Sequence, residues 1–225
     1  MTFEILSFIR GGLVQNAWKK TVMSVSLAAL LSPGCAYLSP VPLDVIPNEV
    51  YQSKQLSCES LEHVIREQNI KTIINLRGEN SGKTWYDEEV ALAKKYGLAY
   101  FVFDYSASEL PEPTMLFDTL VTMRDAQRPI LIHCRAGVDR TGLISGLTLL
   151  LEGKSVHDAK KELNFWYTGH IAISETGILD TVIDEYRRAR KKKNIDILTW
   201  VKEDYPQIYD HWKEKQGTAA RNTER

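Results

Sequence analysis

Apolar residues recur along this chain in two rhythms, and the way they alternate predicts an α/β layered domain. Lys71–Leu76, with Ile73, Ile74 and Leu76, together with Ala99–Phe103 and Ile130-Leu131-Ile132-His133, are short apolar runs of buried-strand character. Val50-Tyr51-Gln52-Ser53 reads as a short edge strand. Helical spacing of Leu61, Val64 and Ile65 predicts a helix over about 58–68. A second helix, over about 84–96, carries Val90, Leu92 and Ala93 and stops at Gly97. Pro111 and Pro113 open a third over about 113–125. Strands and helices in this order imply a mainly parallel central sheet flanked by helices. After residue 140 the pattern turns helical throughout, with candidates Gly142–Leu151, Val156–Leu163, Ile178–Arg190 and Ile195–Tyr209.

The ends of the chain follow other patterns. Lys19-Lys20, the apolar run Thr21–Leu31 and the boundary Ser32-Pro33-Gly34-Cys35 have the layout of a signal peptide or membrane anchor over residues 1–35. Leu31 lies one step too early for the usual lipoprotein spacing before Cys35, and a buried or amphipathic helix is the alternative. The expected location is therefore the bacterial cell envelope, periplasmic or membrane-anchored, with the cytoplasm as the alternative. Pro40, Pro42 and Pro47 mark residues 36–48 as an extended linker. A single folded domain is expected over 49–212, followed by a disordered tail over 213–225.

Composition removes several classes of function. A formal net charge of -1 gives no global pull toward nucleic acid, so no nucleic-acid partner is expected. Three Cys, at positions 35, 58 and 134, are too few and too scattered for a disulfide framework or a thiolate zinc site.

The chemistry concentrates after the Ile130–His133 strand. Cys134 follows that strand and Gly142 begins a strongly apolar helix, so the segment between them is a strand-to-helix loop. Backbone N–H groups in such a loop converge on one point, the helix dipole adds positive charge, and a tetrahedral phosphate fits the cradle. Arg135, Ala136, Gly137, Val138, Asp139 and Arg140 are the expected phosphate-binding residues; Ala136 and Gly137 keep bulk out of the cradle. Arg140, six positions after Cys134, returns over the mouth of the loop, where its guanidinium fork can hold two phosphate oxygens. The same surroundings favour Cys134 as a thiolate nucleophile. Thr141 can donate its hydroxyl to the sulfur, and His133 is expected to order the loop rather than act as a base. A lone Cys at a strand end is usually a core residue; here that reading would leave Arg140, Thr141 and two glycines unexplained.

His133-Cys134-Arg135-Ala136-Gly137-Val138-Asp139-Arg140-Thr141-Gly142 closely resembles the signature loop of the protein tyrosine and dual-specificity phosphatase superfamily. Val50–Ser53, Ile73–Arg77 and Trp166–Ile171 with Thr176–Asp180 resemble bacterial members related to the plant and fungal atypical dual-specificity group, so the resemblance covers about residues 48–190. It implies a tyrosine phosphatase-like fold and hydrolysis of phosphate monoesters through a phosphocysteine intermediate, with no metal and no cofactor. In the family the proton donor is usually an Asp some 30 residues before the nucleophile. Asp104, 30 positions before Cys134, matches that place; Asp139 is the rival, as in myotubularin-type lipid phosphatases, and Glu109 the outsider. The expected substrate is a phosphorylated protein or an anionic phospholipid, with membrane association possible through the basic run Arg187, Arg188, Arg190, Lys191, Lys192 and Lys193. A catalytically weak phosphate-binding module and a rhodanese-type sulfurtransferase are the alternatives. His170 is either a residue behind the pocket or a surface histidine, and Cys58 reads as a partly buried helix-start cysteine, the alternative being a disulfide with Cys134 under oxidation.

Overall fold

A computed structural model describes residues 42–223. The expected signal segment, Cys35 and residues 36–41 of the expected linker lie outside the described residues. Five strands form one sheet in the order β1-β2-β5-β3-β4. They are β1 (Leu43–Ile46), β2 (Val50–Ser53), β3 (Thr72–Asn75), β4 (Ala99–Val102) and β5 (Ile130–His133). β2, β5, β3 and β4 run parallel, and only β1 is antiparallel. The sheet is thus mainly parallel, as the alternating pattern implies. Helices α1 (Cys58–Glu67), α2 (Thr84–Tyr96) and α3 (Pro113–Asp125) connect the strands. After β5 come α4 (Asp139–Leu151), α5 (Val156–Lys161), a 3-10 turn at Glu175–Leu179, α6 (Asp180–Lys192), α7 (Ile197–Glu203) and α8 (Tyr205–Thr223).

Strand side chains alternate between two apolar layers. Tyr51, Ile73 and Leu131 point to one face and pack with Leu61, Val64, Ile65, Leu92 and Ala93 of α1 and α2. Val50, Ile74, Ile130 and Ile132 point to the other and pack beneath α3, α4 and the C-terminal helices, where Trp200 and Tyr205 are fully buried. α4 is buried from Thr141 to Leu150, so it is the central helix of this layer, and an all-round apolar helix requires that position. Its Gly142 and Gly146 let α5 lie close: a Cβ at either would sit 2.3 Å from the Glu162 carbonyl oxygen or 2.6 Å from that of Ala159.

Four elements depart from the pattern read off the sequence. Val50–Ser53 is not an edge strand, because β1 lies outside it, within the expected linker. Pro42 and Pro47 flank β1 rather than interrupt it, and an edge strand tolerates proline at its ends. The reversal into β2 uses Asn48 at φ 62°. The single helix expected over Ile195–Tyr209 is two, since Pro206, the second residue of α8, cannot supply the N–H that would continue α7. Residues 213–223, expected in a disordered tail, continue α8. The signature-loop helix starts at Asp139 rather than Gly142, which puts Asp139, Arg140 and Thr141 in its first turn.

Glu162 is a carboxyl group in the core, 4% exposed, that accepts a hydrogen bond from Gln52 Nε2 at 2.7 Å. Gln52 Oε1 in turn accepts from Ser145 Oγ at 2.9 Å, which stitches β2 to α4. Burial pushes the Glu162 carboxyl up to about 7, against the opposing pull of Gln52 and Lys161. Because this pKa is raised on folding, the stability it brings is complete below about 4.5 and is lost as pH rises through about 7. Glu162→Gln should therefore gain on the wild type by on the order of 2 kcal/mol at pH 8 and far less at pH 5, read from urea midpoints. Equal differences at both pH values would contradict this account.

Candidate active site

The parallel register brings the C-terminal ends of three strands to one level: Ser53 and Asn75 both pair with His133. Cys134 and the loop 135–138 leave β5 at this edge, the usual position of a ligand site in an open parallel sheet. Gly137 is at φ 72°, and a Cβ there would meet Lys54 N at 2.5 Å and the Ser53 carbonyl carbon at 2.6 Å. Its N–H donates to Cys134 Sγ at 3.2 Å. Gln55 N–H donates to the Arg135 carbonyl at 3.2 Å and fixes the other flank of the loop. Arg135 is exposed, Ala136 half-buried and Val138 buried.

Cys134 is 2% exposed. Arg140 Nη1 donates to the carbonyls of Leu76, at 3.3 Å, and Tyr105, at 3.2 Å. Among the described residues, three buried side-chain polar atoms have no partner: Ser53 Oγ, Arg140 Nε and Thr141 Oγ1. All three belong to the signature loop or to the strand end beside it. Buried polar groups are nearly always paired, so three orphans on this loop and the strand end beside it are donors left open to an acceptor.

Behind the loop, His133 is buried, with Nε2 3.0 Å from Glu89 Oε1 and Nδ1 3.4 Å from the Cys134 carbonyl. Glu89, on α2 and itself 2% exposed, also accepts from Tyr100 Oη at 2.7 Å and from Gln55 Nε2 at 2.6 Å. Burial would raise the Glu89 pKa, but His133 and these donors outweigh it and hold the carboxylate below its ordinary value. Gln55 passes the network on to Arg77 Nη1 at 2.9 Å. The Arg77 guanidinium lies over the Trp85 ring, 3.6 Å from its centroid. Burial first, then the charges of Arg140 and Arg135, lower the Arg77 pKa, so three arginines share one electrostatic neighbourhood with Cys134.

The two aspartates stand in different surroundings. Asp104 is exposed and bridges backbone-to-backbone with Arg77, next to the Tyr105 carbonyl that Arg140 holds. Its carboxylate lies against Gly78, where a Cβ would come within 2.5 Å of Oδ1. Among the described residues nothing hydrogen-bonds to that carboxylate. Asp139 Oδ1 instead lies 2.8 Å from His170 Nδ1, and His170 Nε2 is 2.7 Å from Asp180 Oδ2. Burial would raise the Asp139 pKa, but hydrogen bonds from His170 and Thr176 and the charges of His170 and Arg140 outweigh it and keep it below the usual carboxylate value. His170 is 1% exposed and so is not a surface histidine. Glu109 is exposed on the segment after Tyr105 and has no contact that draws it to the loop.

Sequence reasoning missed Ser53, Glu89 and Trp85, and used Arg77 only as part of a resemblance. The signal for Ser53 was present: in a parallel sheet the last residue of a neighbouring strand faces the loop that follows the central one. Glu89 gave no such signal, because one acidic residue in an amphipathic helix reads as solvated. The basic run at the end of α6 is partly neutralised by its own helix and by the cap of α7, with Arg187 paired to Asp184, Arg188 to Glu185 and Lys193 to Asp204. Cys58 opens α1, and it and Cys134 are free thiols.

Residues 46–177 match the family model described as a DSP-PTPase phosphatase fused to NAD+ kinase. That span exceeds half of the 225 residues, and the chain belongs to this dual-specificity-type phosphatase family. Its structure is similar to the core catalytic domain of the PP-IP phosphatase SIW14 from S. cerevisiae, at 22% identity and a TM-score of 0.52, covering 72% of this chain and 95% of that one. It is also similar to a DUF442 protein from Shewanella putrefaciens CN-32, at 15% identity and a TM-score of 0.52, over 73% of this chain and 96% of the other. Tk-PTP in its active form gives 19% identity and a TM-score of 0.51, over 65% and 97%. At these identities the likeness is one of fold. No curated protein matches the chain significantly. No helix among the described residues is long and apolar enough to cross a membrane.

The buried network has a measurable cost. Glu89→Ala leaves His133, Tyr100 and Gln55 without their common acceptor, and should destabilise the protein by roughly 2–4 kcal/mol in urea unfolding. A loss below about 0.5 kcal/mol, the range of ordinary surface substitutions, would show that the network is not holding the loop.

Proposed function

We propose that this protein hydrolyses phosphate monoesters through a phosphocysteine intermediate at Cys134. The observation that carries the reading is the set of unpartnered buried groups, Ser53 Oγ, Arg140 Nε and Thr141 Oγ1, on the signature loop and the strand end paired with His133, beside a cysteine that already accepts an N–H from its own loop. An oxyanion beside the sulfur accepts from Ser53 Oγ and Arg140 Nε, with Arg140 presenting a fork preset by the Leu76 and Tyr105 carbonyls, and the Thr141 hydroxyl is left for the sulfur.

In the first step the Cys134 thiolate attacks phosphorus, the S–P bond forms and the P–O ester bond breaks. The departing oxygen takes a proton from Asp104. In the second step Asp104, now a carboxylate, accepts a proton from water as the water oxygen attacks phosphorus and the S–P bond breaks. Thr141 donates to the leaving sulfur. Asp104 is favoured over Asp139 because its carboxyl group has no hydrogen-bond partner among the described residues, whereas that of Asp139 is engaged by His170 and held below the usual carboxylate value. A phosphate-binding module without turnover, or a sulfurtransferase, would have no use for an unengaged carboxyl group next to Tyr105, whose carbonyl Arg140 holds. The ester's carrier is a phosphorylated protein or lipid; a phosphotyrosyl peptide assayed beside a phosphoinositide vesicle assigns it.

Cys134→Ser should abolish turnover while the protein still binds inorganic phosphate; retention of more than a few per cent of wild-type activity would exclude the covalent route. Arg140→Lys keeps the charge but loses the fork, and should cost about 100-fold or more in kcat/KM.

The proton donor is separable by leaving group. Asp104→Asn should slow an alkyl phosphate ~10²–10⁴-fold and an activated aryl phosphate far less. Asp139→Asn should slow both by similar factors. The reverse pattern in a two-substrate comparison would give the role to Asp139.

A further inference from the structure

His170 sits in the segment between α5 and the 3-10 turn, yet its side chain has no exposure to solvent. Each ring nitrogen faces a carboxylate oxygen, Asp139 on α4 at 2.8 Å and Asp180 on α6 at 2.7 Å. An ionised carboxylate only accepts, so both nitrogens must carry hydrogen and the ring is an imidazolium. Burial would lower the pKa of such a ring; the hydrogen bonds and charges of Asp139 and Asp180 outweigh it and raise the pKa to about 9.

The position of this cation matters because of what Asp139 adjoins. Asp139 is the first residue of α4 and the neighbour of Arg140, at the helix end where N–H groups and dipole favour an anion. A carboxylate there competes with phosphate for the same positive field. Directed onto His170, it does not.

We propose that His170 is a positioning residue of the phosphate loop, a buried cation that engages the Asp139 carboxylate and so reserves Arg140 and the N-terminus of α4 for the substrate's phosphate. The proposal rests on the phosphate site described above but needs no turnover. Asp180 has a supporting part: from the first turn of α6 it supplies the second acceptor that keeps the ring charged. The segment from Asn164 to Asp180 thereby becomes part of the loop's construction without touching substrate. The charged groups facing this ring are Asp139 and Asp180, with Arg140 beyond Asp139.

The test reads phosphate affinity directly. In the full chain, alkylation of Cys134 by iodoacetamide is followed by mass spectrometry of its peptide while inorganic phosphate is titrated as protectant, from pH 6 to 10. His170→Gln should weaken phosphate protection about 10-fold at pH 7, the effect of one unshielded charge at short range. In an Asp139→Asn background the same substitution should change it less than about 3-fold, because the charge to be neutralised is gone. Wild-type affinity should fall above about pH 9, and His170→Gln should lack that limb. Unchanged affinity in folded His170→Gln, or an equal loss in both backgrounds, would overturn the proposal. If His170→Gln does not fold, Asp180→Asn serves instead: the limb should move to lower pH, and a limb that stays in place would overturn it. Intact phosphate protection without hydrolysis of any ester would count against the phosphatase reading alone.

Discussion

The pairing of β5 with β2 on one side and β3 on the other, in parallel and in register, is the constraint on which the rest of this molecule depends. It stops three strands at the same row, Ser53, His133 and Asn75. From that row come the cysteine loop, the unpartnered Ser53 hydroxyl, and Asn75, whose side chain receives the Arg77 N–H at 2.8 Å and donates to Tyr100 Oη at 3.0 Å. A one-residue slip would turn every strand side chain to the opposite layer and separate these groups. The two apolar layers oppose such a slip, since Ile73 and Leu131 are buried on one face as completely as Ile74 and Ile132 on the other.

Two supports hold the loop from opposite sides. On the α2 side, Glu89 gathers His133, Tyr100 and Gln55, and Gln55 also holds the Arg135 carbonyl. On the α4 side, His170 gathers Asp139 and Asp180. Both are buried ion-pair networks, and such networks contribute more to fixing one arrangement than to net stability. Strong fixation is what an oxyanion site needs, because dipoles already aimed at the phosphate do not have to reorganise as charge moves.

Much of this was legible in the chain itself. Period-two and period-3.6 patterns located β2 to β5 and α1 to α4, and the spacing from Cys134 to Arg140 identified the loop. What escaped was non-local. β1 is four residues between prolines and is a strand only because β2 offers it an edge. The break between α7 and α8 lies at Asp204, just before Pro206, inside an otherwise continuous apolar rhythm. Glu89 and His170 acquire their meaning from partners 44 and 31 residues away, and no local pattern encodes such a pairing. Spacing from Cys134 alone puts Asp104 ahead of Asp139; the sequence could not show that Asp139 is engaged by His170 while the Asp104 carboxylate has no partner among the described residues.

The backbone around Asp104 carries a consequence of its own. Phe103 N–H donates to the Asn75 carbonyl at 2.9 Å, the Phe103 carbonyl accepts from Gly78 N–H at 3.1 Å, and the Tyr105 carbonyl is held by Arg140. The residue is thus moored on both sides, to the strand edge and to the phosphate loop. Catalytic acids carried on swinging lids gain selectivity by closing only over substrates that fit beneath them. If Asp104 is the proton donor, as proposed, an acid moored in this way works without such a gate, and selection among esters falls to the shape of the rim rather than to a closure step.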